Sequence, residues 1–134
     1  MADGNPLRVG YGQRGRTVYD YFNQALRSPR DPDLPVQGEL ISGNDGLSAQ
    51  FFAEVQGDRL TRVSYRCATC VTLVAYCELL AETLAGLSPA EVMLVKTSDL
   101  IDALPGVPSF RYDRAGLALG ALQSAVGRAE MPRG

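Results

Sequence analysis

The sequence predicts an α+β domain: a three-stranded antiparallel sheet packed against helices. Three observations lead there. An amphipathic stretch of helical period comes first, Val18 to Arg27. Three runs rich in apolar and aromatic residues follow between Val36 and Arg66, separated by turn-forming clusters. From Cys70 onward the apolar spacing changes to three and four residues and stays helical to Arg128. Helix, strands, then helices is the order of a sheet covered by a helical layer.

Residues 1–16 carry Gly4, Gly10, Gly12 and Gly15 and read as a flexible lead. Thr17 is placed to cap the first helix. There Val18, Tyr21, Phe22, Ala25 and Leu26 follow the i, i+3, i+4, i+7, i+8 spacing of a buried stripe. Pro29 and Pro32 forbid its continuation. Val36–Ser42 is a first short strand. Gly43-Asn44-Asp45-Gly46 is a tight turn, because these residues tolerate left-handed backbone. Ser48–Gln56 and Arg59–Arg66 form a hairpin about Gln56-Gly57-Asp58.

The central helix carries one stripe of Cys70, Leu73, Val74, Cys77, Leu80, Ala81 and Leu84, ended by Gly86. Ser88-Pro89-Ala90-Glu91 sets an N-cap, an N1 proline and an N3 glutamate in register for the next helix. Thr97-Ser98-Asp99 starts a short helix through Leu104, and Pro105-Gly106-Val107-Pro108 breaks the chain. Arg114–Arg128 is the last helix, with Leu117, Ala118, Ala121, Leu122, Ala125 and Val126 inward. Gly116 and Gly120 within it each cost about 1 kcal/mol against alanine and are expected to permit close packing. A single domain over residues 17–128, with a tail at 129–134, results.

With 134 residues, 46% of them hydrophobic, the chain can bury a core without disulfide staples. A net charge of −2 with no block of like charges disfavours nucleic-acid binding, which needs a basic face. No run approaches the ~20 apolar residues that cross a bilayer, so no membrane partner is expected. The polar N-terminus lacks the apolar region of a signal peptide. Together with the odd number of cysteines, this predicts a cytoplasmic protein with free thiols.

The chain contains no histidine, which removes Ser-His-Asp and Cys-His catalysis. It has no glycine-rich phosphate loop and no recognisable carboxylate pair, so it is not expected to be an enzyme. The chemistry left lies in the thiols, all of which fall between Cys67 and Cys77. Cys70 opens the central helix. The positive end of a helix dipole favours thiolate, the form that binds metal or attacks sulfur. The competing reading is a core cysteine on an apolar stripe. Cys67 and Cys70 form a CxxC pair, open to a metal or a redox disulfide, although a structural zinc needs four ligands and usually a second pair. Cys77 lies about two turns, ~10 Å, beyond Cys70, too far for the same mononuclear site. It reads as core.

From Leu60 to Val92 the chain resembles, without gaps, the NifU/IscU-type iron–sulfur cluster assembly scaffolds. Val63-Ser64-Tyr65, Thr69-Cys70 and the helix to Gly86 match the family's strand, Gly-Cys and small-residue helix. Lys96-Thr97-Ser98-Asp99 resembles its Lys-Asn-Thr-Asp segment, and Ser28-Pro29-Arg30 its Asn-Pro-Arg. Val107-Pro108-Ser109-Phe110-Arg111 resembles its Pro-Pro-Val-Lys stretch. The likeness covers residues 17–128.

The resemblance implies the same helix-covered sheet and a nascent [2Fe–2S] cluster held on three cysteines. Only one of these is present, as Cys70. Asp45 stands at the first position, with Leu47 for the aspartate of the family's turn. Arg114 stands at the third, after Asp113. Arginine offers no lone pair, and such clusters are normally held by thiolates. Two expectations result. In the first, the protein is a scaffold-like assembly protein that binds iron or a labile iron–sulfur cluster near Cys70 and receives sulfur from a cysteine desulfurase. Asp45 and Cys67 then serve as metal co-ligands, with Arg114 beside the cofactor. In the second, the chain is a degenerate paralogue without a cluster and acts as a protein-interaction or regulatory module. An Asp45–Arg114 ion pair across the ligand pocket would then replace the metal.

Overall fold

The computed structural model describes residues 16–130 except 29 and 32; the expected lead at 1–15 and the end of the tail at 131–134 lie outside the described residues. Helix α1, Val18–Arg27, opens the domain. Its start is fixed by Thr17, whose side chain accepts the Asp20 N–H while Asp20 accepts the Thr17 N–H. Strands β1 (Val36–Gln37), β2 (Ile41–Ser42), β3 (Ser48–Gln56) and β4 (Arg59–Cys67) follow. Helices α2 (Val71–Leu84), α3 (Pro89–Met93), α4 (Thr97–Ala103) and α5 (Asp113–Glu130) complete it.

The sheet is antiparallel and packs against helices, as the sequence predicts, but it has four strands rather than three. The expected strand Val36–Ser42 is split. Val36 pairs with Ala53 and Gln37 with Phe52, whereas Ile41 pairs with Ala49 and Ser42 with Ser48, so the register slips by one residue between the two pieces. The cause lies in α5. A Cβ on Gly38 would sit 2.9 Å from the Ala125 backbone nitrogen and 2.9 Å from its Cβ. The helix therefore passes directly over the backbone at the slip. There the Glu39 N–H leaves the ladder and donates to Ser124 Oγ (3.1 Å).

A second irregularity reconciles an out-of-phase pattern. Leu60 and Val63 are three apart, which a regular strand would put on opposite faces. Val55 pairs with Leu60 but Glu54 with Arg62, so Thr61 is an extra residue in β4. Thr61 Oγ1 donates to the Glu54 carbonyl (3.2 Å). Beyond that bulge Tyr65 is buried with Leu60 in one core.

Ala49, Phe51 and Ala53, every second residue of β3, enter that core with α2 and α5. Phe52 and Leu34 are buried apart from it. Helix α2 is buried almost all round, which is why Tyr76, Cys77 and Glu78 lie inside together. It leaves through Gly86 at φ 96°, a left-handed position that favours glycine. The close packing expected at the α5 glycines is only partly present. Gly116 faces Thr97 at ordinary contact distance, and nothing lies within 4 Å of where a Gly120 Cβ would be.

Candidate functional site

Asp45, Cys70 and Arg114 come from three elements and meet at one place. Asp45 lies in the turn Asn44–Gly46 with φ 61° and ψ 25°, the left-handed region that aspartate tolerates better than most residues. The turn leads into Ser48, whose carbonyl accepts the Ala68 N–H (3.0 Å). That bond ties the β4–α2 connection, and Cys70 with it, beside the turn. Cys70 is the N-cap residue of α2, and its side chain makes no capping hydrogen bond, so the sulfur is left for other partners.

Arg114, in the first turn of α5, supplies the third side. Its Nη1 donates to Asp113 Oδ1 (2.7 Å) and its Nη2 to Asp45 Oδ2 (3.2 Å). Asn44 Nδ2 donates to the other oxygen of Asp113 (3.3 Å), pinning the turn to the helix start. The Arg114 side chain is 13% exposed and Asp45 is 67% exposed, so the guanidinium forms the floor and the carboxylate the rim. The Arg114 pKa is raised, first by its hydrogen bond to Asp113, against the cost of burial, and then by its interaction with the Cys70 side chain. The same guanidinium holds the Asp113 carboxyl below the usual carboxylate range. Arg114 Nε is buried and has no hydrogen-bond partner among the described residues.

This donor set does not fit a [2Fe–2S] cluster. One thiol is available, the Asp45 carboxylate is engaged by a cation, and the third position is that cation. Among the described residues no three His, Cys, Asp or Glu side chains are grouped to hold a metal ion. Cys67, expected beside Cys70 as a co-ligand, ends β4 half-buried, with its pKa lowered by the Cys77 thiol and, against the cost of burial, by the Arg30 charge.

Sequence reasoning missed a second polar cluster, on the α1 side of α2. Glu78 is only 6% exposed. It accepts from Tyr65 Oη (2.7 Å), Gln24 Nε2 (2.8 Å) and Ser28 Oγ (3.4 Å). Arg30 Nη1 donates to Tyr65 Oη (3.1 Å) and to the Ala25 carbonyl (3.3 Å). A buried carboxylate needs such partners, and here they join α1, β4 and α2. The available signal was Glu78 inside the otherwise apolar stretch Leu73–Ala81.

No family model matches the chain. Two curated proteins, both described as nitrogen fixation protein NifU, from Nostoc sp. and Trichormus azollae, are each 27% identical over 112 residues. The match takes in 81% of this chain but only 37% of either relative, so the chain spans little more than a third of their length. Among solved structures, the N-terminal part of a nitrogen-fixing NifU-like protein from Brucella abortus superposes with a TM-score of 0.66 at 11% identity. That superposition covers 84% of this chain and 91% of the other. A crystal structure described as a hypothetical protein gives 0.56 at 19% identity, over 70% and 83%. The structural matches speak to the fold, and the sequence matches add a likeness to NifU over 81% of this chain.

Proposed function

We propose that this protein acts in iron–sulfur cluster assembly as a scaffold-like, non-enzymatic acceptor of sulfur. Cys70 takes sulfur from the persulfide of a cysteine desulfurase, and no cluster is built between Asp45, Cys70 and Arg114. The observation that carries the reading is the Arg114 guanidinium. It interacts electrostatically with Cys70 and pairs with Asp45 at 3.2 Å, where the resemblance would put cluster ligands.

The step balances without metal. The Cys70 thiolate attacks the terminal sulfur of the donor persulfide. A sulfur–sulfur bond forms at Cys70, the donor's own sulfur–sulfur bond breaks, and the donor leaves as a thiolate. Arg114 neutralises the anionic sulfur before and after transfer, and Asp113 keeps the guanidinium in place. The likeness to NifU supports a place in iron–sulfur biology.

The test combines a desulfurase with cysteine, without oxygen, and reads the protein by mass spectrometry. One added sulfur atom on Cys70, lost in Cys70→Ser, is expected. A folded protein that gains no sulfur removes the reading. Iron and sulfide added in parallel check the alternative. A stable visible chromophore that depends on Cys70 would restore the cluster-binding scaffold.

A second reading, a partner-binding or regulatory module, draws on exposed apolar residues next to the site. Phe110 is 72% exposed and Tyr112 is 37% exposed, just before α5. In that case Cys70→Ala binds the desulfurase as well as the parent protein does, while Phe110→Ser does not.

A further inference from the structure

A cavity of about 210 Å³ opens where α1, the end of β4 and the start of α2 meet. Phe22, Ala25 and Leu26 form one wall, Tyr65 and Cys67 a second, and Thr69 and Val74 a third. The gap has a cause in the chain. Helix α1 ends at Arg27, and by Asp31 the backbone is already tied to Ser64 Oγ (2.8 Å). The chain thus leaves the helix axis before another turn could fill the space. Leu26 stays 66% exposed at this edge, so apolar surface is open to water there.

Arg30 is the cation at the cavity. Its guanidinium stands 5.1 Å from the Tyr65 ring centre. Its Nη1 donates to Tyr65 Oη (3.1 Å) and to the Ala25 carbonyl (3.3 Å), which fixes the fork from one side. Its Nε and Nη2 have no hydrogen-bond partner among the described residues. Arg66 also borders the cavity, but it alternates with Tyr65 and Cys67 along β4, and its Nε donates to Gln50 across the strand pair (3.3 Å). No aspartate or glutamate is among the lining residues. Glu78 meets Tyr65 Oη instead from a neighbouring cavity of about 250 Å³, which Arg30 and Tyr65 also border. Apolar walls with one fixed positive charge, and no negative one, suit an apolar anion. A planar fork with two open donors selects a carboxylate.

We infer that this cavity binds a small monocarboxylic acid with an aryl or branched aliphatic body. The carboxylate meets Arg30, and the body lies against Phe22, Leu26 and Val74. The volume is below the ~300 Å³ at which pockets for drug-sized ligands begin, so the body is limited to roughly six to nine carbons. Binding covers the exposed Leu26, and that burial supplies the apolar part of the driving force. An anion without such a body gains only a charge interaction that water and salt screen. The cavity shares no lining residue with Asp45, Cys70 and Arg114, so it stands apart from the proposed sulfur transfer.

The experiment titrates the full, isotope-labelled chain with 3-phenylpropionate and follows its amide shifts by NMR. Saturable shifts confined to Phe22–Leu26, Arg30 and Arg66–Val74 are expected, at a Kd of about 0.1–1 mM. On the same parent chain, 3-phenylpropionamide should bind about ten-fold more weakly, and 3-phenylpropylamine and acetate more weakly still. Arg30→Gln should weaken the acid about ten-fold and leave the amide unchanged. Val74→Phe, which fills the cavity, should weaken both. The inference is overturned if no shift saturates, if acid, amide and amine bind alike, if acetate matches the aryl acid, or if the shifts centre on Asp45 and Arg114. Tighter binding of acetyl-Ala-Ala-Phe through its free C-terminal carboxylate also overturns it and assigns the cavity to the C-terminus of a partner protein. The comparison among ligands uses the parent chain, so poor folding of a variant does not remove the test.

Discussion

Arg114 reaches Asp45 across 69 positions of chain, at 3.2 Å, and does so with its own side chain nearly covered while the aspartate stays open to water. The pair is lopsided, and its energetics follow from that. Solvent around Asp45 screens the attraction, whereas the guanidinium is held by Asp113 and the covering side chains whether or not Asp45 is present.

A double-mutant cycle between Asp45→Asn and Arg114→Gln is therefore expected to give a coupling of about 0.5–1 kcal/mol in urea unfolding. Arg114→Gln alone costs more, about 1–3 kcal/mol, because Asp113 loses its charged partner. A coupling well above ~2 kcal/mol would mean that the pair is far drier than the exposure of Asp45 implies.

Two glycines on opposite sides of the α5 packing should respond in opposite directions. Gly38→Ala places a methyl against the Ala125 backbone, which has no soft neighbour to displace, and should destabilise by about 1–3 kcal/mol. Gly120→Ala meets nothing within 4 Å inside a helix and should stabilise by up to about 1 kcal/mol. Thermal melts of both variants check the pair.

Three buried tyrosines set an alkaline limit. Burial pushes Tyr21 and Tyr76 up to about 12, and burial together with Glu78 raises Tyr65 as well. An unfolded tyrosine ionises near ~10. With the folded values raised, the stabilisation is fully present below pH ~10. It is lost as pH climbs through about 12, because the unfolded chain gives up its protons first. Urea midpoints should be flat in tyrosine terms up to pH ~10 and fall steeply beyond it. Tyr65→Phe should shrink that fall and cost about 1–3 kcal/mol at neutral pH through the lost bond to Glu78.

Tyr76 is 0% exposed, and its hydroxyl finds no hydrogen-bond partner among the described residues. Tyr76→Phe removes a desolvated polar atom and keeps the ring, so it should be neutral or stabilising by up to about 1–2 kcal/mol. A clear loss of stability in calorimetry would show that the hydroxyl is satisfied after all.

Much of the architecture was legible from residue order. The Thr17 and Ser88 caps formed as their sequences require, and Asp45 took the left-handed turn that Asn-Asp-Gly calls for. The NifU-like fold was legible in the order of segments around Cys70. The split of Val36–Ser42 was not, because it depends on α5 lying over Gly38, and that contact lies 87 positions away. The polar cluster around Glu78 was also hidden, because its partners Gln24, Ser28 and Tyr65 come from α1, its C-cap and β4.

The sequence by itself determined the caps and breaks that bound the helices to within a residue or two, and which side chains carry sulfur. Caps, prolines, left-handed turns and apolar period act within a few residues, so a linear reading captures them. Only the tertiary structure decided which polar groups meet. Arg114 closed on Asp45, and Glu78 met Tyr65 and Gln24, because those contacts are made by packing α5 on the sheet and α2 against β4 and α1, and packing joins residues that the chain keeps far apart.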